Sequence, residues 1–400
     1  MRTMKQSRMI RGIFITLLLL SRWAAYSQPF IPGNSYYGRN NYIEYIAGNF
    51  PLIISVPHGG AVTPAEIPND RTCGDETATD SYTLILAKEI LDAIYQITGC
   101  YPHIIICNLK RTKLDANRDL PEAACGNGFA EIAWNEYHKF IDSAKANVNR
   151  KQGKGLYIDL HGHGHTIQRL ELGYLLTATQ LSYSDATLNS TTYKNYSSIR
   201  NLIYSNPANL SHSELLHGSF SLGSMFAAKG FPSVPGTDDP FPLSGQSYFN
   251  GGYNTVRHGS KTGGTIDGIQ IECNHDVRFD EITRKDFAAK TAVVLLDFLK
   301  KHYFPNLPQT YCNAVSVEPI LTSRFLLYPN PFDNVLFFQN SIPADLLIYD
   351  FLGKSVYSKR IGTEDKIDLG HLKNGIYLVT LRKDGKILYR EKIIKETIRE

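Results

Sequence analysis

Five short apolar runs, separated by segments of helical period, constrain the fold of this chain more than any other feature. Residues 52–56, 103–107, 156–160, 172–176 and 268–272 are dominated by aliphatic side chains, and runs of this length read as buried strands. Between them the period changes. In residues 80–97, Leu84, Ala87, Leu91 and Ile94 recur at helical spacing, with Asp80 placed to cap the first turn. Residues 132–148 and 283–301 repeat that pattern. Strands alternating with helices predict an α/β fold with a mostly parallel or mixed central sheet and flanking helices. In such sheets active residues collect at the carboxyl ends of the strands.

Residues able to do chemistry stand at those ends. The first run continues into Pro57-His58-Gly59-Gly60, the third closes with Asp159-Leu160-His161-Gly162-His163-Gly164-His165, and the last closes with Glu272. Imidazole is the commonest metal ligand at neutral pH, and glycine lets the chain turn tightly around an ion. A hydrolytic zinc site takes three protein ligands and keeps a position for water. His58 and His161 supply two. The third is expected from Asp75, Glu76 or Asp80; Asp80, at a helix start, is preferred and Glu76 is the alternative. His163 is expected to face the cleft and touch substrate.

The run 103–107 leads into a cationic loop, residues 109–119. A guanidinium binds a carboxylate with two parallel hydrogen bonds, so Arg118, with Asn117 beside it, is placed to clamp an acidic substrate group. Arg111 would polarise a scissile carbonyl or share that clamp. A carboxylate at the end of a buried strand needs a partner. Glu272 is therefore expected to work as general acid and base on water; its competing role is an ion pair with Arg278 or Lys261.

The net charge of +4 over 400 residues, with no long block of either sign, gives no case for nucleic-acid binding. Arg2, Lys5, Arg8 and Arg11 precede an apolar run at 13–20 and the small-residue context Ala25-Tyr26-Ser27, which is the layout of a cleaved export signal over residues 1–27. That run is short for a bilayer span and no later one is longer, so no transmembrane segment is expected in the mature chain. Six cysteines without CxxC spacing read as core residues or one or two bridges of undetermined pairing. From residue 322 the composition changes. Short β-type runs at 325–328, 335–339, 345–349, 376–382 and 386–394, separated by Gly and Asn turns, predict a small β-sandwich over 322–400, after a first domain over 28–318.

Two resemblances sharpen these expectations. Tyr328-Pro329-Asn330-Pro331-Phe332, Gly353-Lys354, Leu372-Lys373-Asn374-Gly375-Ile376-Tyr377 and Lys392-Ile393-Ile394-Lys395 resemble the carboxyl-terminal sorting domain of proteins exported by the type IX secretion system of Bacteroidetes. That implies delivery by a Sec signal to the periplasm, then passage across the outer membrane through the secretion machinery as partner. Ser55-Val56-Pro57-His58-Gly59-Gly60, Thr79-Asp80, Arg111, Asp115-Ala116-Asn117-Arg118, Asp159-Leu160-His161 and Gln270-Ile271-Glu272 occur in the order seen in N-formylglutamate amidohydrolases, which look like distant relatives of zinc carboxypeptidases. The resemblance implies a zinc amidohydrolase with His58, Asp80 and His161 around the metal, Arg118 on a substrate carboxylate and Glu272 as acid and base.

Gly162-His163-Gly164-His165, a Tyr-, Ser- and Asn-rich stretch at 183–210, and Tyr248-Phe249-Asn250-Gly251-Gly252-Tyr253 followed by Arg257-His258-Gly259-Ser260 depart from that pattern and leave the substrate open: an acylated amino acid, a peptide with a free carboxylate or a cell-wall fragment. A carboxypeptidase-type peptidase is the nearest variant, and a surface protein that binds a peptide or glycan without turnover is the non-enzymatic one. A serine hydrolase is disfavoured because Gly218-Ser219-Phe220-Ser221-Leu222-Gly223 misses the GxSxG spacing.

Overall fold

The computed structural model describes residues 30–74, 76–306, 312, 326–328, 330–339, 343–350, 353–362, 364–383 and 386–396. The expected export signal, Asp75 and the expected boundary at 318–322 lie outside the described residues. Two compact units, Met1–Cys312 and Asn313–Glu400, divide the chain.

The first unit is built on β1 (Ser35–Tyr37), β2 (Ile43–Ile46), β3 (Leu52–Val56), β4 (His103–Cys107), β5 (Gly155–Gly162), β6 (Leu170–Gly173), β7 (Ser233–Val234) and β8 (Ile266–Cys273). They form one sheet in the order β1-β2-β4-β3-β5-β8-β6-β7. The four strands β4, β3, β5 and β8 run parallel, whereas β2 and β6 join them antiparallel. The sheet is mixed around a parallel centre, and the α/β architecture expected from the alternating patterns stands. Strands buried on both faces carry no alternation, which is why the sequence shows them as continuous apolar runs.

Three long helices cover the faces: α1 (Thr83–Thr98), α2 (Gly128–Gln152) and α3 (Glu281–His302). Leu86, Ile90 and Ile94 of α1 and Phe287, Leu295 and Phe298 of α3 pack with Ile54, Ile104, Ile158 and Ile269 in one core. Ala133, Tyr137, Ile141 and Ala144 of α2 pack with Ile53, Ile105 and Tyr157 on the opposite face. Caps set the ends of α2: Asn127 Oδ1 accepts from the Phe129 and Ala130 amides, and Gly153 closes it at φ 76°. Because α1 and α2 lie on opposite faces, the chain steps from β3 to β4 on one side and returns past β3 to β5 on the other. A crevice opens where the winding reverses, between the carboxyl ends of β3 and β5.

Cys73 and Cys125 form a disulfide across 52 residues, Cys100 and Cys312 form another, and Cys107 and Cys273 are free and buried. The first ties the segment that carries Glu76 and Asp80 to the short helix Leu120–Ala124. By loop-closure entropy, a Cys73→Ser, Cys125→Ser double variant loses about 2–4 kcal/mol of stability; a urea midpoint equal to that of the parent would contradict this.

The second unit holds two antiparallel sheets. One comprises β9 (Leu326–Tyr328), β10 (Val335–Gln339) and β13 (Glu364–Asp368); the other comprises β11 (Ala344–Tyr349), β12 (Ser355–Ile361), β14 (Gly375–Lys383) and β15 (Lys386–Lys395). Leu336 and Phe338 of the first meet Leu346, Ile348, Val379, Leu381 and Ile393 of the second in a single core. Strands β12 and β13 were not expected from the sequence, since Ser355–Ile361 is mostly exposed and carries few apolar residues to mark it.

Candidate active site

Three side chains converge in the crevice. His58 follows β3, His161 sits near the end of β5, and Asp80 precedes α1; one ligand atom from each lies within 4.8 Å of the other two. All three residues are buried. Asp80 Oδ2 is 3.1 Å from His161 Nδ1 and 3.4 Å from His58 Nδ1. The outer nitrogens of both rings rest on further carboxylates. His58 Nε2 is 2.7 Å from Asp115 Oδ1, and His161 Nε2 is 2.9 Å from Asp159 Oδ2. With Nε2 resting on a carboxylate, each ring turns its Nδ1 toward Asp80.

Asp80 is not the helix cap that its position predicts. Tyr82 occupies the N-cap of α1 at φ 67° with no side-chain cap bond, and a left-handed bulky residue is an outlier typical of functional sites. The chain turns there because Asp80 is held elsewhere. Its amide donates to His58 O at 3.0 Å, and its Oδ2 accepts from the Gly162 amide at 3.2 Å. Arg278 fastens the same place, donating from Nη1 to Ser81 O at 2.6 Å, from Nη2 to His163 O at 2.9 Å and from Nε to Cys273 O at 3.0 Å. A Cβ on Gly162 would fall on that guanidinium, so only glycine fits.

The electrostatics of the cluster call for positive charge at its centre. Burial works against charging His161, but Asp159, Glu272 and Asp80 outweigh it and hold the ring protonated well above the usual imidazole range. Burial likewise opposes the charge on Asp115, yet His58, Arg111 and Arg118 keep that carboxyl well below its ordinary value. His58 Nδ1 is buried with no hydrogen-bond partner, although buried polar atoms are rarely left unpaired.

Glu272, on β8, lies 3.9 Å from His161 Nδ1 and accepts from Gln270 Nε2 at 2.9 Å. Burial pushes its carboxyl up to about 8; His161 works against this, and Asp80, Glu171 and Asp159 add to it. The alternative ion pair with Arg278 is absent among the described residues, because that guanidinium is spent on backbone carbonyls.

The cationic loop divides its labour. Arg111 Nε bonds Asp115 Oδ2 at 2.9 Å and its Nη1 reaches Ala78 O at 3.3 Å. Arg118 Nε bonds Glu122 Oε1 at 2.9 Å, with Nη1 on Asn117 O at 3.0 Å. For both, Nη2 has no polar partner among the residues around the cleft. Asn117, expected to touch substrate, is committed instead: its Nδ2 is 3.3 Å from His161 Nε2 and its Oδ1 accepts from the Asn254 amide at 2.8 Å. Glu76, the alternative third ligand, is half exposed and accepts from the Ala78 amide at 2.7 Å.

These residues line one cleft of about 390 Å³, with His163, Gly164, His165, Phe249, Gly251 and Gly252 along its remaining wall. Both ring nitrogens of His163 are closed: Nε2 bonds Arg169 O at 2.8 Å and Nδ1 accepts from the His165 amide at 3.1 Å. The expected substrate contact through His163 thus has no free ring nitrogen to make it. Ser221 lies away from the cleft as the cap of the short helix Leu222–Ala227.

Sequence reasoning passed over Asp159 and Asp115 as supports for the histidines. Asp159 had a readable signal, since residues two apart on a strand share a face. Asp115 had none, because its loop has no period.

No curated protein sequence matches the chain. Among solved structures, an N-formylglutamate amidohydrolase from Ralstonia eutropha JMP134 is 14% identical, with 65% of this chain and 97% of that one covered at a TM-score of 0.38. A gene product of Agrobacterium tumefaciens is 13% identical over 65% of this chain and 95% of its own, at a TM-score of 0.39. A succinylglutamate desuccinylase from Chromobacterium violaceum is 10% identical over 69% and 71% of the two chains, at 0.30. Residues 326–396 match the family model of the secretion system C-terminal sorting domain. The second unit is therefore a type IX sorting domain, which directs the protein to the cell surface or beyond through that secretion machinery.

Proposed function

We propose that the first unit is a zinc-dependent amidohydrolase that cleaves an acylated amino acid or peptide bearing a free carboxylate, exported through a Sec signal at residues 1–27 before the sorting domain acts. One observation carries this reading. Two buried imidazoles, each backed by its own carboxylate, turn their Nδ1 atoms toward a third carboxylate, with His58 Nδ1 unpartnered. Two ring nitrogens and a carboxylate oxygen facing one another at 3.1 and 3.4 Å need positive charge between them: a proton on His161 supplies it in the empty site, and a metal ion would take its place. Two nitrogens and one oxygen form a donor set that suits zinc.

His58, His161 and Asp80 would hold the ion, and zinc bound there supplies Lewis acidity toward a carbonyl and makes water a better acid. The remaining chemistry belongs to the chain. Glu272 takes the proton of the attacking water on its carboxylate and returns it to the leaving amine. Arg111, which lines the cleft, stabilises charge that develops on the carbonyl oxygen. Arg118, paired on one edge with Glu122, offers its other edge to the substrate carboxylate.

Protein purified without chelator should carry near-stoichiometric zinc and hydrolyse N-acyl amino acids in a chelator-sensitive way; a mature chain free of divalent metal would sink the proposal. Asp115→Asn should weaken zinc binding by about 10- to 100-fold in a chelator competition. An unchanged affinity would remove Asp115 from its supporting role.

A further inference from the structure

The sheet register sets three side chains in a row. His161 of β5 pairs with Glu272 of β8, and Glu272 pairs with Glu171 of β6. Neighbouring strands lie roughly 4.8 Å apart, so Glu171 stands on the far side of Glu272 from the metal cluster. Arg118 follows β4, on the near side, in the strand order β4-β3-β5-β8-β6. The two ends of the cleft therefore flank the cluster.

Glu171 is fully buried and serves one ring. Its Oε1 is 2.8 Å from His165 Nδ1, while its Oε2 accepts from the Phe249 amide at 2.8 Å. Phe249 stacks on His165 with ring centroids 4.6 Å apart and planes at 23°, and the residue is 44% exposed. The loop that carries Phe249 is pinned from both sides: Tyr248 Oη donates to Leu172 O at 2.6 Å, and Arg169 bonds Asp239 and Gln246. In the tautomer that donates Nδ1–H to Glu171, the His165 ring offers Nε2 as an acceptor. That nitrogen has no polar partner among the described residues, and His165 and Phe249 both line the cleft.

We propose that His165, oriented by Glu171 and stacked on Phe249, is a substrate-recognition residue: it accepts a hydrogen bond from an amide N–H in the acyl portion of an extended substrate, while the Phe249 ring packs on the planar group beyond. This rests on the amidohydrolase reading above and narrows it to acyl groups at least one residue long. Glu171 is a positioning residue, since it acts by fixing the tautomer that leaves Nε2 free to accept.

The test uses full-length, zinc-loaded Glu272→Gln protein, which holds ligand without turning it over, and calorimetric titration with N-benzoylglycyl-glutamate and with N-benzoylsarcosyl-glutamate, whose corresponding nitrogen carries a methyl group in place of hydrogen. The glycyl ligand should bind about tenfold more tightly, as expected for one hydrogen bond inside a cleft. Adding His165→Ala or Glu171→Gln should bring that ratio close to one. His165→Gln, which still presents an acceptor, should keep part of it. A merely structural role for His165 would weaken both ligands alike and leave the ratio standing, which would overturn the proposal, as would failure of both ligands to bind. Chelator-sensitive hydrolysis of benzoylglycyl-glutamate by the unmodified protein reports on the zinc hydrolase reading separately, so the two can fail independently.

Discussion

Glu272→Gln is expected to lower turnover by about 10²- to 10⁴-fold, the usual range for losing a positioned acid or base, while zinc content stays at the parent level. Glutamine keeps the volume and can still bond Gln270 and its surroundings, but it cannot take a proton from water. Metal retention follows from the geometry: Glu272 stands 3.9 Å from His161 Nδ1 and outside the group of His58, Asp80 and His161. A second readout runs in the opposite direction. Because burial pushes the Glu272 carboxyl up to about 8, with His161 alone working against it and three neighbouring carboxylates adding to it, the folded apoprotein bears a cost for that group at neutral pH which a neutral amide does not impose. The apo variant should therefore unfold at higher urea than apo parent, a trade of stability against activity common at functional sites. Retained turnover in the zinc-loaded variant would rule out Glu272 as the proton carrier.

Acidification should destabilise the apoprotein steeply below pH 6.5. Burial lowers the imidazoles of His103 and His138 to about 3 and of His212 to about 4, and lowers those of His163, His258 and His302 as well. A depressed folded-state value means that the unfolded chain takes up the proton first, so stability is complete above about pH 6.5 and drains as pH falls toward the folded value. Three carboxyls have the opposite sign: Asp267, raised by burial to about 6, Glu272 and Asp92 bind protons more tightly when folded. Six imidazoles against three carboxyls leave a net uptake of protons on unfolding, so stability falls as the pH drops from 6.5 toward 5. Urea unfolding followed by fluorescence at pH 7, 6 and 5, with chelator present so that metal release does not enter, measures that slope. Stability that is flat or rising over this range would show that these rings are not held neutral.

The central strands were legible because burial on both faces leaves an unbroken apolar run. Leu52–Val56 and His103–Cys107 match the expected bounds, and β5 and β8 each extend theirs by three residues. Three strands of the first unit were missed, Ser35–Tyr37, Ile43–Ile46 and Ser233–Val234, and at two to four residues they are too short for any period to register. The first also sits at the sheet edge, where exposure removes the apolar signal.

The residue types of the site were readable for a similar reason. A histidine or glutamate closing a buried apolar run is costly unless something partners it, so His58, His161 and Glu272 announced themselves from local sequence. What partners them is a matter of register and loop path, which no local pattern encodes. The choice of Asp80 over Glu76 depended on a left-handed turn at Tyr82 that swings one carboxylate inward. The supports Asp115 and Asp159 depended on which loop meets which ring. Among the three alternating histidines, local sequence assigned His161 to the metal and His163 to the cleft, and tertiary contacts set their partners: His161 joins Asp80, His163 closes on Arg169 and His165, and His165 is aimed by a glutamate two strands away. The sequence by itself determined the strand ends at which chemistry collects, because burial is written residue by residue. Only the tertiary structure decided which donors face one another, because that is set by the reversal of winding between β3 and β5 and by the register of β5, β8 and β6.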